Sequence, residues 1–161
     1  MAAEGKSATI TNGKITCEVT ASGLLRFTNQ DGKILLEEYQ RIRDMFGGTV
    51  KFASALEIQS RTFQPKAGMD NYKLIARFEP NEGEKIYGMG QYQQEVMDLK
   101  GTRLELAHRN SQASVPFYMS NKGYGFLWNN AAVGEVFFGS NITQWTAENT
   151  KQLDYWITAG D

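Results

Sequence analysis

Residues 114–130 read SVPFYMSNKGYGFLWNN, in which two apolar, aromatic-rich runs flank the segment from Ser120 to Gly123. The aromatic side chains of the two runs alternate with smaller or polar ones, which is the two-residue period of a β-strand. The intervening Lys122-Gly123 suits a tight turn, because glycine takes a positive φ at little cost. The stretch therefore predicts a β-hairpin whose turn spans Ser120 to Gly123.

Similar short segments recur along the whole chain. Glycine or asparagine stands between them, as at Asn12-Gly13 and Asp31-Gly32. Many short strands with regular turns are typical of a β-sandwich or barrel. The segments with an alternating or β-branched pattern are residues 14–19, 24–27, 49–52, 56–58, 72–78 and 133–138.

The segment LLEEYQRIRDMF, residues 35–46, departs from this pattern because its apolar side chains recur at helical spacing. A short helix, a strand and an irregular loop are all compatible with it. No repeat, low-complexity tract or linker interrupts the chain, which holds three prolines. We expect a tag-like or disordered terminus over residues 1–8 and one domain over residues 9–161.

The composition argues against several kinds of chemistry. The 17 basic and 18 acidic residues are interspersed, so no basic face for nucleic acid or an anionic membrane is expected. His108 has no nearby serine elbow, and one histidine with one cysteine makes a poor zinc site. Cys17 lies in an alternating stretch and is expected to be a half-buried structural thiol. Gly88-Met89-Gly90 lacks the third glycine of a phosphate loop. We expect no metal and no cofactor.

Aromatic, amide and arginine side chains cluster between Gln91 and Trp128. Such side chains suit a sugar, whose apolar ring face stacks on aromatic rings while its hydroxyl groups form directed hydrogen bonds. Alternatively, the aromatic residues alternate across two paired strands and fill the core of a sandwich. For Phe117, Phe126 and Trp128 the core interpretation is favoured.

Four motifs in the second half of the chain follow one another in a recognisable order: IYGMGQ (86–91), NSQASVPFYMS (110–120), GYGFLWNN (123–130) and LDYWITAGD (153–161). In order and spacing they resemble the amino-terminal β-sandwich of family 31 glycoside hydrolases, in particular bacterial α-xylosidases and α-glucosidases. The resemblance implies an all-β, antiparallel β-sandwich of galactose mutarotase-like fold. Much of the strand-rich opening that usually precedes the segment resembling Ile10 to Leu36 is missing, which leaves two forms open, a complete sandwich and one without its first strands.

In the family, the sandwich packs against a (β/α)₈ barrel that carries the aspartate nucleophile and the aspartate general acid of a retaining mechanism. The motif ending in Asp161 matches the end of the family's sandwich, so we expect this chain to be a domain of a larger glycosidase whose catalytic barrel is absent here. The resemblance thus implies no catalytic residue within this chain.

The resemblance also implies a substrate-binding loop, because a loop of the family's sandwich reaches over the barrel mouth, often through an Asn-Arg-Asp motif. The matching positions here are His108, Arg109 and Asn110, followed by Ser111 and Gln112. Arg109 keeps the multi-donor guanidinium, whereas Asn110 replaces a carboxylate with an amide that both donates and accepts hydrogen bonds. A single histidine is too few for the acid and base of a mutarotase.

Two functions follow from these observations. The first is a non-catalytic domain of an enzyme that hydrolyses terminal α-xylosidic or α-glucosidic bonds, binding the oligosaccharide together with the barrel. The second is a free-standing carbohydrate-binding module. We also expect self-association of this chain through the surface that the barrel would cover, because large exposed apolar patches usually find a partner.

Overall fold

Every regular element in the described part of the chain is a β-strand. The computed structural model describes residues 6–40, 42–45, 50–53 and 58–160, and for 42–45 and 50–53 it describes the backbone alone. These residues include no helix, and hence no helix of the length and apolarity needed to cross a membrane. The strands are β1 Ala8–Asn12, β2 Ile15–Val19, β3 Leu25–Asn29, β4 Ile34–Glu37, β5 Ile42–Met45, β6 Val50–Ala53, β7 Arg61–Pro65, β8 Tyr72–Phe78, β9 Ile86–Gln91, β10 Arg103–Leu106, β11 Ala113–Ser120, β12 Tyr124–Trp128, β13 Gly134–Phe138, β14 Thr143–Thr150 and β15 Tyr155–Ala159.

The strands form three larger sheets and one separate pair. The front sheet has the order β1-β2-β3-β4, the five-stranded sheet β10-β13-β14-β8-β7, and the hairpin sheet β15-β12-β11-β9. The strands β5 and β6 pair with each other. All of these pairings are antiparallel, which confirms the predicted all-β antiparallel architecture.

The core of the sandwich lies between the five-stranded sheet and the hairpin sheet. Tyr118 and Phe126 of the hairpin sheet stack on Trp145 of the five-stranded sheet, with ring centroids 6.2 and 5.1 Å apart. Phe78 packs edge-on against Phe126 at 5.5 Å. All of these rings are at most 1% exposed. Full burial of one such side chain contributes about 1.5–3 kcal/mol, so this aromatic layer is a main source of stability.

The predicted hairpin is formed by β11 and β12. Its turn is the predicted one, since the Gly123 N–H donates to the Ser120 carbonyl at 3.1 Å and Gly123 has a φ of 83°. Phe126 and Trp128 are buried in the core, as predicted. The prediction for Phe117 is wrong. Phe117 is next to buried Tyr118 in the strand, so its side chain faces the opposite side of the sheet. It lies half-buried on this outer face, where its ring covers Gly125.

Where it is described, the segment 35–46 forms strands over 35–37 and 42–45, with residues 38–40 between them in neither strand, and no helix. Leu35 and Leu36 are both buried, although neighbours in a regular strand face opposite sides. The cause is a register shift, because Phe27 pairs with Leu36 while Thr28 pairs with Ile34. Leu35 is thus the extra residue of a β-bulge, and two adjacent inward leucines imitate helical spacing in the sequence. Of the predicted strand at 56–58, residues 56 and 57 lie outside the described residues, and Ile58 lies in no strand.

A buried ion pair joins the front sheet to the five-stranded sheet. Glu38 has a side chain that is 1% exposed, and its carboxylate accepts hydrogen bonds from Arg61 Nε at 2.7 Å and Nη2 at 2.6 Å. The Leu25 N–H donates to the same carboxylate at 3.0 Å. Because a buried carboxylate needs such partners, this contact fixes how the two sheets meet.

A second buried carboxylate, Glu84, fixes the end of the hairpin. It accepts hydrogen bonds from the hydroxyls of Ser120 at 2.7 Å and Tyr124 at 2.6 Å, and Lys100 Nζ lies 3.1 Å away. The burial of Tyr124 and the nearby Tyr118 and Glu84 raise the pKa of Tyr124 above its ordinary value. The hairpin turn is therefore held from the core side by neutral phenol and a satisfied carboxylate.

Candidate functional site

Beside the site, the paired strands β9 and β11 have an irregular backbone. Gly88, Met89 and Gly90 have φ values of 120°, 68° and 93°, all in the region that favours glycine. A Cβ on Gly90 would lie 2.3 Å from the Ala113 carbonyl oxygen, so only glycine fits there. The pairing of β9 with β11 shifts register between Ser114 and Tyr118. Irregularities of this kind bend a strand and are common next to functional sites.

Pro116 lies inside this irregular part of β11. The ladder to β9 skips residues 115–117, and the ladder to β12 begins at Phe117. Proline has no N–H to donate, so it fits a position that neither ladder uses. Proline suits an edge strand or the first strand residue after a loop, whereas Pro116 is the fourth residue of β11.

A tight turn presents the residues predicted to bind substrate. The Gln112 N–H donates to the Arg109 carbonyl at 3.0 Å, and the two residues form an isolated β-bridge. Asn110 and Ser111 form the tip, where Ser111 has a φ of 67°, as the third residue of a type II turn requires. The residues from His108 to Ser111 are exposed, and Gln112 is half-buried. The turn is thus a solvent-facing projection carried by the ends of β10 and β11.

A polar groove of about 410 Å³ lies against this turn. The structure brings Arg109, Asn110, Ser111 and Gln112 to it, whereas His108 is not among its lining residues. Four of the five predicted site residues therefore share one concavity. The other lining residues are Tyr92, Gln93, Gln94, Arg103, Leu104 and Glu105.

The tyrosine of this groove is held by two hydrogen bonds. The Tyr92 hydroxyl lies 2.9 Å from the Glu105 carbonyl oxygen and 2.8 Å from Ser114 Oγ. Burial raises the pKa of Tyr92 above its ordinary value, so the phenol stays neutral at physiological pH. The sequence signal for Tyr92 was its position directly after IYGMGQ, within the cluster of aromatic and amide residues.

The arginine of the turn is held by an ion pair. Arg109 Nη2 donates to Glu105 Oε2, and both side chains are more than half exposed. Sequence reasoning missed Glu105 as a site residue, although the four-residue spacing to Arg109 was visible. Spacing of four residues indicates contact on a helix, and here the contact arises because the chain turns after β10.

A second, smaller pocket adjoins the groove. It has a volume of about 280 Å³ and shares Tyr92 and Gln94 with the groove. Its rim includes Val96 and Met97, whose side chains are 51% and 84% exposed. A polar groove and a partly apolar pocket thus meet at one tyrosine and one glutamine.

The lining residues of the groove offer hydrogen-bond donors and acceptors, and one carboxylate is among them. Amide, phenol, hydroxyl and guanidinium groups supply both donors and acceptors. Cleavage of a glycoside needs two carboxyl groups, and Glu105 is the one carboxylate among the lining residues. Within the described residues, no three His, Cys, Asp or Glu side chains are placed to hold a metal ion.

Comparison with known proteins places this domain in a family. The glycosyl hydrolase 31 N-terminal galactose mutarotase-like domain matches residues 2–136. An uncharacterized family 31 glucosidase from Pseudescherichia vulneris is 51% identical over 164 residues, covering 98% of this chain and 31% of that protein. Alpha-xylosidase A from Aspergillus niger is 40% identical over 82 residues, covering 51% of this chain and 11% of that protein.

Solved structures agree with the sequence matches. A GH31 α-xylosidase from a soil metagenome, crystallised with xylose, has a TM-score of 0.88 and 51% identity, covering 98% of this chain and 24% of that one. A xylosidase from Aspergillus niger has a TM-score of 0.82 and 28% identity. The chain spans less than a third of the length of these relatives. It belongs to the family of glycosyl hydrolase 31 N-terminal galactose mutarotase-like domains.

Proposed function

We propose that this chain is the non-catalytic amino-terminal domain of a retaining glycosidase that hydrolyses terminal α-xylosidic or α-glucosidic bonds of oligosaccharides. In this proposal the domain packs on a (β/α)₈ barrel and lends the Arg109–Gln112 turn to the substrate site. The observation that carries it is the 51% identity, over 98% of the chain, to family 31 proteins that are more than three times as long.

The outer face of the hairpin sheet supports packing against a second domain. Trp156 pairs with Leu127, and Leu127 with Phe117, so the three side chains form one row across the sheet. Trp156 is 65% exposed, and in the next row Met119 is 56% exposed. Contiguous apolar side chains on an outer face are typical of a surface that another domain covers. We propose that the barrel covers this row.

The groove supports the proposed contact with sugar. Arg109, Asn110, Ser111 and Gln112 offer donors and acceptors at an exposed edge, as the hydroxyl groups of a sugar require. We retain His108 as a proposed substrate contact beside them, at the base of the turn. In this proposal the nucleophile and the general acid come from the barrel, so the chain alone has no glycosidase activity.

The test is a pair of activity measurements with aryl α-xyloside and aryl α-glucoside. The purified chain is expected to release no aryl alcohol from either substrate. A chimera in which this chain replaces the matching segment of the soil-metagenome α-xylosidase is expected to hydrolyse aryl α-xyloside. Turnover by the chain alone would contradict the proposal, and so would a folded chimera without activity.

A further inference from the structure

The carboxylate that holds Arg109 belongs to a residue whose position is otherwise unfavourable. Glu105 lies in β10 directly opposite Glu135 of β13. Like charges facing each other across an antiparallel pair destabilise the sheet. A neutral side chain at position 105 would remove this repulsion, so the sheet itself gains nothing from a glutamate there.

The neighbouring cation does not account for Glu105 either. Arg103 Nη1 donates to Glu135 at 2.5 Å, and its guanidinium lies 4.9 Å from the centre of the Phe137 ring. Arg103 is therefore engaged with β13, and Arg109 is the cation whose contact with Glu105 is seen. This pair is exposed, and exposed ion pairs contribute little to stability.

Glu105 contacts two lining residues of the groove at once. Its side chain accepts from Arg109, and its backbone carbonyl accepts from the Tyr92 hydroxyl. The bond to Glu105 uses one of the five N–H donors of the Arg109 guanidinium, so a ligand can use others. We propose that Glu105 is a positioning residue that holds the Arg109 guanidinium at the groove for a sugar hydroxyl, an inference that rests on the proposed function.

The test compares Glu105→Gln with Glu135→Gln. Both changes remove the repulsion between the two glutamates, but only Glu105→Gln removes the charged partner of Arg109. In the α-xylosidase chimera, Glu105→Gln is expected to raise KM for aryl α-xyloside about threefold to fivefold, the scale of an exposed ion pair. We expect kcat to stay unchanged. The unfolding temperature should stay unchanged or rise slightly. Glu135→Gln is expected to leave KM unchanged.

Nuclear magnetic resonance of the chain alone gives a readout independent of activity. With ¹⁵N-labelled arginine, Arg109 is expected to show hindered rotation of its guanidinium, which Glu105→Gln abolishes and Glu135→Gln preserves. Free rotation in the unsubstituted chain would overturn the proposal. An unchanged KM for Glu105→Gln in an active chimera would overturn it as well. An inactive unsubstituted chimera contradicts the proposed function instead, and the NMR result then decides whether Glu105 holds Arg109.

Discussion

The buried contact between Glu38 and Arg61 gives the strongest stability prediction. In Arg61→Ala, the Glu38 carboxylate loses donors at 2.7 and 2.6 Å and keeps the Leu25 N–H at 3.0 Å. Breaking a buried ion pair from one side costs about 3–5 kcal/mol. Because the Arg61 side chain is 34% exposed, water can partly replace it, and we expect a loss of about 2–4 kcal/mol.

Thermal and urea unfolding at neutral pH, followed by circular dichroism, measure this loss. For a domain of this size, we expect the unfolding temperature of Arg61→Ala to fall by about 5–15 °C. Arg26→Ala is the matched control, since Arg26 pairs with Glu37 at 2.9 Å from a side chain that is 41% exposed. Its loss should stay below about 1 kcal/mol. The reasoning is refuted if the free energies of unfolding of Arg61→Ala and Arg26→Ala differ by less than about 1 kcal/mol.

Three further predictions concern the irregular pairing of β9 with β11, an acid-sensitive carboxylate and the apolar outer face of the hairpin sheet. Gly90→Ala should destabilise the chain by about 2–4 kcal/mol in urea unfolding, because the new Cβ meets the Ala113 carbonyl at a positive φ; a loss below 1 kcal/mol contradicts this. Partial burial acts to raise the pKa of Asp98, but N–H bonds, including one from Ile86, hold it below its ordinary value. The ionised form therefore stabilises the fold above the unfolded-state pKa, so Asp98→Asn should cost about 1 kcal/mol at pH 7, and this cost should shrink as acid protonates the carboxylate of the folded chain; a cost that stays constant throughout an acid titration argues against it. Trp156→Ser should weaken self-association of the chain in sedimentation velocity, and a chain that is already monomeric at high concentration refutes this prediction.

The two-residue period predicted the all-β class and several of the strands, because apolar side chains recur every two residues in an antiparallel strand with one buried face. That signal identified the hairpin of β11 and β12 and the buried Phe126 and Trp128. It failed where the register shifts, as at Leu35, because a bulge places two neighbouring residues on the same side. It also failed for Phe117, since an aromatic run does not reveal which parity faces the core.

The candidate site was predictable only as far as the turn. The resemblance to the family pointed to His108–Gln112, and the structure places four of these residues at the groove. Tyr92 and Glu105 reach the same groove because β9 and β10 end beside the turn. Contacts between residues so far apart along the chain leave no local pattern in the sequence. The positive φ values of Gly88, Met89 and Gly90 also lie where β9 pairs irregularly with the distant strand β11, so they leave no local pattern in the sequence.

The most direct test of the central claim is the effect of Arg109→Ala on kcat/KM of the α-xylosidase chimera. If the domain lends Arg109 to the substrate site, we expect kcat/KM for aryl α-xyloside to fall at least about tenfold, the loss of a charge-assisted hydrogen bond. Lys151→Ala is the matched control. Lys151 forms an exposed ion pair with Asp70, with Nζ and Oδ2 2.8 Å apart, and neither residue lines the groove. Equal kcat/KM values for the two variants, both with an unchanged unfolding temperature, would contradict the claim.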